Sequence, residues 1–268
     1  MGIPRRIIQT WKRLPLPPLF RAASVNLKLL NPEFEYLFFD DAHVDTFVRE
    51  KFPEFTDVFH AFGSRIQQMD FFRYLAVYHY GGFYFDLDVL LFEKLESLLR
   101  FACVFPFERI GISWYFKRRY KMHWDVGNYA FAAQSGHPFL EKIIENCCRA
   151  QKDPDSVRPI LRSMPAIFRK NSSILCTTGP MLVTKTYAEN PQLHSSIEIL
   201  RPEDICDRRN WNKFGAYGLH LRNGSWRPRG SYVRKLYWMI WKYCLSKTEE
   251  KAIAAARRFE ENPTNTFF

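Results

Sequence analysis

Hydrophobic and polar positions along this chain switch between a two-residue and a helical rhythm, and the switches mark its elements. Ile7–Trp11 is a short apolar-rich run after Pro4, closed by the proline-rich Leu14–Pro18, and reads as a first strand. Phe34–Phe39, between Asn31-Pro32 and Asp40-Asp41, reads as a second. From Ser64 to about Tyr80 there is neither proline nor glycine, and Ile66, Met69, Phe72, Leu75 and Ala76 supply an apolar set. That stretch predicts a helix started by Ser64 and stopped by Gly81-Gly82. Phe83-Tyr84-Phe85 follows as a strand running into Asp86-Leu87-Asp88, Tyr129–Ala133 is a further strand, and Pro138–Arg149 is a helix. Strands alternating with helices predict an α/β layer fold around a mostly parallel sheet.

Composition narrows the class without choosing a function. With 268 residues, 47% hydrophobic and 25% charged, the chain is long enough for a sizeable core and is not disordered. It has 39 Lys+Arg against 28 Asp+Glu, a net charge of +11, and 25 Phe, 13 Tyr and 7 Trp. A basic, aromatic chain suits nucleic acid, a membrane surface or a phosphorylated small substrate. The six cysteines form no CxxC pair and include the adjacent Cys147-Cys148, which points to free thiols in a reducing compartment. The first residues contain no apolar signal-peptide core, so no signal peptide is expected. The most apolar stretch, Tyr74–Phe92, is interrupted by His79, Gly81-Gly82, Asp86 and Asp88, which a lipid-facing helix would not tolerate.

The candidate chemistry is concentrated between residues 70 and 88. In an extended segment Asp86 and Asp88 point the same way, at the carboxyl end of a strand where open α/β sheets bind ligands. Two carboxylates there can hold a hard divalent cation that bridges to the phosphates of a nucleotide. One segment upstream, Asp70 and Arg73 share a helix face at i,i+3, an anion for sugar hydroxyls beside a cation for phosphate or carboxylate. Alone, each piece has an ordinary reading as a turn, a surface ion pair or a helix stop. Together they are informative.

In this order the pieces resemble glycosyltransferase family 32, the enzymes with a DxD-containing sugar-binding region, related to the yeast initiating α-1,6-mannosyltransferases and distantly to the glucosylating clostridial toxins. The resemblance runs from Ile3 to about Trp226 through Ile3–Trp11, Asn31–Tyr36, Asp70-x-x-Arg73, Gly81-Gly82-x-Tyr84-x-Asp86-x-Asp88, Asn128, Gly136-His137-Pro138, Thr178-Gly179-Pro180 and His220-x-x-x-Gly224-Ser225-Trp226. It implies a GT-A, Rossmann-like nucleotide-diphospho-sugar transferase fold over residues 1–230. It also implies transfer, with retention, of a hexose from a UDP- or GDP-sugar to a glycan or lipid-linked acceptor, as in polysaccharide, glycolipid or lipooligosaccharide synthesis.

By the same resemblance Asp86, Asp88 and Asn128 are the catalytic set, and Asp86, Asp88 and His220 hold Mn2+ or Mg2+, with Ser225 the alternative to His220. Trp11, Asp70, Arg73, Tyr84, Gly179, Ser225 and Trp226 bind the donor. No protein nucleophile is expected, because the departing phosphate oxygen can take the acceptor's proton. The chain departs from the family pattern at Ile8, where relatives carry His, and the sequence starts directly at the first strand, whereas secretory-pathway relatives are expected to carry an N-terminal anchor.

Two basic aromatic segments remain. Arg118-Arg119-Lys121, flanked by Trp114, Tyr115, Tyr120 and Trp124, reads as a surface loop available to an acceptor or membrane. Residues 231–268 open as a basic aromatic helix, an extension placed either against a membrane and acceptor or on the enzyme body. These features lead us to expect a cytoplasmic location, peripheral at the inner face of a membrane, with no nucleic-acid partner. The alternative reading is a non-catalytic nucleotide or nucleic-acid binder; no RNP-type, zinc-finger or Walker pattern supports it.

Overall fold

The computed structural model describes residues 2–111, 113–164, 166–222, 239, 242–243, 246–254 and 257. Strand β1 (Arg6–Thr10) opens the chain, followed by β2 (Glu35–Phe39), β3 (Gly82–Phe85), β4 (Val89–Leu91), β5 (Cys103–Ile110), β6 (Trp124–Val126), β7 (Ala130–Ala133), β8 (Ile197–Leu200), β9 (Lys213–Phe214) and β10 (Gly218–His220). A seven-stranded sheet runs β2-β1-β3-β7-β5-β6, with β8 paired to β5, and a small sheet runs β4-β10-β9. β2, β1 and β3 are mutually parallel, β7 is antiparallel to both β3 and β5, and β8 is parallel to β5. Five strands therefore point one way and only β6 and β7 oppose them, the mostly parallel, Rossmann-like α/β sheet expected.

The segment that leads into the acidic pair folds as its sequence dictates. The helix Arg65–Tyr80 is capped by the Ser64 side chain, which accepts from the Gln67 amide, and ends on Gly81 at φ 66°. Gly82, at φ 102°, brings the backbone so near β1 that a Cβ would lie 2.6 Å from the Arg6 carbonyl oxygen. Both conformations favour glycine. Phe71, Phe72, Tyr74 and Leu75 of this helix are fully buried, and its contacts with the helix Pro138–Lys152 fill one side of the sheet. The aromatic excess is largely core: Phe105 stacks on Phe131 at 4.9 Å, and Phe131 lies 5.7 Å from Tyr84.

The expected basic loop is instead a short helix, Trp114–Tyr120. It is held by buried Phe116 and closed by Lys121 in the left-handed region at φ 57°. Seven residues are too few for a legible helical period, which is why residue pattern alone suggests a loop. In the C-terminal stretch, Glu249 is 3% exposed and its carboxylate meets Arg109 of β5 at 3.4 Å and Arg208 at 2.5 Å. Cys103, Cys147, Cys148, Cys176 and Cys206 are free thiols. Among the described residues no helix is long and apolar enough to cross a membrane.

Candidate active site

β1 and β3 run side by side with Ile8 opposite Tyr84, so the chain leaving both strands emerges at one carboxyl edge of the sheet. Past β3, the Asp86 amide donates to the Tyr129 carbonyl at 2.7 Å and the Val89 amide donates back to the Asp86 carbonyl at 3.1 Å. Asp86-Leu87-Asp88 is therefore a turn from the large sheet into the small one, and Leu87 is buried. The two carboxylates converge because of that turn, not through strand alternation as the sequence pattern suggests. His220 arrives from β10, which is antiparallel to β4 with His220 opposite Val89. Its Nε2 lies 3.2 Å from Asp88 Oδ1, and one ligand atom from each of Asp86, Asp88 and His220 falls within 4.8 Å of the others. The Tyr129 ring stacks on His220 at 4.5 Å, and the Leu221 amide donates to the Asp88 carbonyl at 2.8 Å.

Arg73 is the hub behind this pair. It reaches Asp70 at 3.1 Å and Asp86 at 3.2 Å, donates to the Asn128 carbonyl at 2.9 Å, and lies 4.7 Å from the Tyr84 ring centre. Tyr84 donates its hydroxyl to Asp86 at 3.1 Å, which orients that carboxylate. Asp70 also accepts from Asn128 Nδ2 at 3.4 Å and Thr178 Oγ1 at 3.1 Å, while Tyr74 ties Asn128 to the Thr178 carbonyl. Burial alone would loosen the Arg73 proton; Asp86, Tyr84 and Asp70 outweigh it and fix the positive charge. Burial raises Asp86, against Arg73 and His220.

Burial likewise pushes Asp70 up to about 6, opposed by Arg73 and reinforced by Asp86. Between its unfolded value of 3.8 and about 6, the folded protein holds a proton on Asp70 that the unfolded chain releases. The resulting stabilisation is complete below 3.8 and lost as pH rises through about 6. Urea unfolding of metal-free wild type and Asp70→Asn across that range should show wild type gaining roughly 2–3 kcal/mol on the variant as pH falls. A difference that stays flat, or runs the other way, contradicts the assignment.

Residues 18–105 match the family described as "Glycosyltransferase sugar-binding region containing DXD motif". This stretch, which holds Asp70, Arg73, Tyr84, Asp86 and Asp88, is similar to that family's DXD region. Inositol phosphoceramide mannosyltransferase 2 of Schizosaccharomyces pombe is 32% identical over 183 residues, which cover 68% of this chain and 45% of the relative. Mannosyl phosphorylinositol ceramide synthase CSH1 of Saccharomyces cerevisiae is 25% identical over 213 residues, 78% of this chain and 50% of the relative. The chain thus spans about half the length of these curated relatives. The UDP-bound glycosyltransferase domain from the YGT toxin superposes with a TM-score of 0.51 at 8% identity, covering 74% of this chain and 79% of that one. At that identity the likeness concerns the fold, which is GT-A.

The DXD region brings Asp70, Arg73, Tyr84, Asp86 and Asp88 into one network with Asn128 and His220. Trp11 sits half-buried at the same sheet edge, its ring edge-on to Phe20 at 4.8 Å. Gly179 caps the helix Pro180–Glu189, and a Cβ there would meet the Leu175 Cα at 2.9 Å, so its visible role is close helix packing. Ser225 and Trp226 lie outside the described residues. Ile8 is fully buried in β1, its side chain part of the core. Sequence reasoning missed Tyr74, which fixes Asn128, and gave no site role to two residues inside its motifs: Thr178, which fixes Asp70, and Gln9, whose Nε2 donates to the Phe85 carbonyl at 3.4 Å. A buried tyrosine and a strand glutamine carry no signature that separates them from core.

The donor set suits a divalent cation. Two carboxylates and an imidazole could hold such an ion, and the buried His220 Nδ1 has no hydrogen-bond partner among the described residues.

Proposed function

We propose that this chain is a metal-dependent, retaining hexosyltransferase that uses a nucleotide-diphosphate sugar and a glycan or lipid-linked acceptor. The convergence of Asp86, Asp88 and His220 at the sheet's carboxyl edge, braced from behind by Arg73, carries the reading. Mn2+ or Mg2+, held by these three side chains, would supply electrostatic stabilisation of a leaving diphosphate. Arg73 and Tyr84 hold the Asp86 carboxylate in place, and Thr178 and Asn128 do the same for Asp70, which presents an acceptor to donor-sugar hydroxyls. Asn128 is anchored beside Asp70, where it would face the transferring sugar. Trp11 is at the edge where a base would stack.

Asp86 and Asp88 sit together in one turn, whereas a carboxylate pair that cleaves a glycosidic bond must flank it. Proton transfer from acceptor to departing phosphate oxygen needs no protein nucleophile. Likeness to an inositol phosphoceramide mannosyltransferase and to a mannosyl phosphorylinositol ceramide synthase supports a hexose donor and a phosphorylated lipid acceptor. Placement at the cytoplasmic face of a membrane belongs to the same proposal and is supported by the free thiols.

A panel of UDP- and GDP-sugars, each with Mn2+, Mg2+ or EDTA, should single out one donor. The expected result is a raised thermal midpoint and slow donor hydrolysis that both vanish with EDTA. Stabilisation by no nucleotide sugar, or tighter salt-sensitive binding to oligonucleotides, would refute the proposal.

A further inference from the structure

The helix Pro18–Leu30 is apolar on two sides. Phe20, Ala23, Ser24 and Leu27 are buried at the spacing of a core-facing stripe. The opposite side carries a second row, Ala22, Val25 and Leu29, continued toward the catalytic edge by Leu19 and Leu14, all exposed. Leu29 is 75% and Leu14 63% exposed. Phe92, at 53%, extends the patch, because Asn26 exchanges hydrogen bonds of 3.1 and 2.8 Å with the Leu91 backbone next to it. A run of large apolar side chains facing water marks a contact surface.

Its charge is one-sided. Lys12, Arg13 and Arg21 flank the row, all exposed, Lys28 is turned onto the Tyr36 ring at 3.7 Å, and the first acidic residue in the chain is Glu33. We propose that this face docks the protein on an anionic bilayer, with the leucine row entering the interface and Lys12, Arg13 and Arg21 meeting lipid phosphates. The row begins three residues after Trp11, so docking sets the sheet's catalytic edge beside the headgroup layer. That consequence rests on the proposed transfer to a lipid-linked acceptor; the docking itself does not. The helix Trp114–Tyr120 is as basic but offers less to a bilayer, since Phe116 is buried and Trp114, 50% exposed, stands without a row of apolar neighbours like that on Pro18–Leu30.

Flotation of the full chain with vesicles of 70% phosphatidylcholine and 30% phosphatidylserine tests this. Wild type should bind them, and bind pure phosphatidylcholine and high-salt mixtures far less. Val25→Glu with Leu29→Glu, and separately Arg13→Glu with Arg21→Glu, should each weaken binding by about tenfold or more, with thermal midpoint and donor hydrolysis in solution unchanged. Absence of wild-type binding, or retained binding in both variants, overturns the proposal. So does a concentration-dependent dimer that the apolar variant abolishes, which would make a second copy the occupant. Vesicle binding without any donor turnover would instead count against the glycosyltransferase reading and leave the docking surface standing.

Discussion

Asp88→Ala should remove sugar transfer, lowering kcat/KM by about a thousandfold or more while the protein stays folded. A loss of that size is about 4 kcal/mol of transition-state stabilisation, the scale of charge placed against a leaving group. Asp88 is the carboxylate that meets His220, and both belong to the only three-residue acidic and imidazole cluster found among the described residues. Its backbone carbonyl, not its side chain, accepts from Leu221, so the alanine variant keeps that link between the acidic turn and the end of β10. Asp88→Asn keeps the shape and loses the charge; it should resemble alanine if charge is what matters. Mn2+ affinity should fall with activity in both variants, and the thermal midpoint in EDTA should stay within a few degrees of wild type. Full activity in either purified variant would remove Asp88 from the mechanism.

How much of this was legible beforehand depends on the range over which each feature is encoded. The helix Arg65–Tyr80 is written locally, in a capping serine, an uninterrupted apolar set and two glycines, and it appears where those signals place it. The i,i+3 pairing of Asp70 and Arg73 follows from that helix alone. The contact between Arg73 and Asp86 does not, since it requires β3 to fold back beneath the helix. His220 is further removed still: it reaches the acidic turn because β10 pairs with β4, and no local pattern encodes that pairing.

β5 drew no strand expectation from the sequence. Pro106 argues against a central strand, because proline cannot donate to a ladder. Yet Pro106 lies opposite Leu200 of β8, and its carbonyl accepts from the Gly127 amide on the other side. Tyr74 was invisible for a different reason. Its ring is ordinary core, and only the placement of its hydroxyl between Asn128 and Thr178 makes it part of the site.

Arg73→Met should be the most damaging single substitution to stability in this site. The side chain is only 9% exposed and stands between Asp70, 8% exposed, and Asp86, 25% exposed. Removing the shared cation leaves two carboxylates facing each other in a poorly solvated space, and breaking a buried pair in this way costs about 3–5 kcal/mol. The more open Asp86 is partly relieved by water, which favours the lower part of that range. Urea unfolding at pH 8 should register it as a shift of about 3 kcal/mol, with the thermal midpoint lower by roughly 5–10 °C.

The pH dependence separates this cause from simple loss of packing. Without Arg73, the opposing influence on both acids disappears and each holds its proton to higher pH. Protonation then neutralises the exposed fault, so the deficit should shrink between pH 8 and pH 5. A cavity or packing defect would cost the same at both. Combining Arg73→Met with Asp70→Asn should recover part of the loss at pH 8, a coupling of about 1 kcal/mol or more in a double-mutant cycle. Arg73→Lys retains a charge but has one ammonium where the guanidinium fork spans two carboxylates, so it should keep more stability than methionine and still lose donor binding. A pH-independent deficit together with strict additivity would show that Arg73 is a spacer in the core and not the electrostatic brace of the acidic turn.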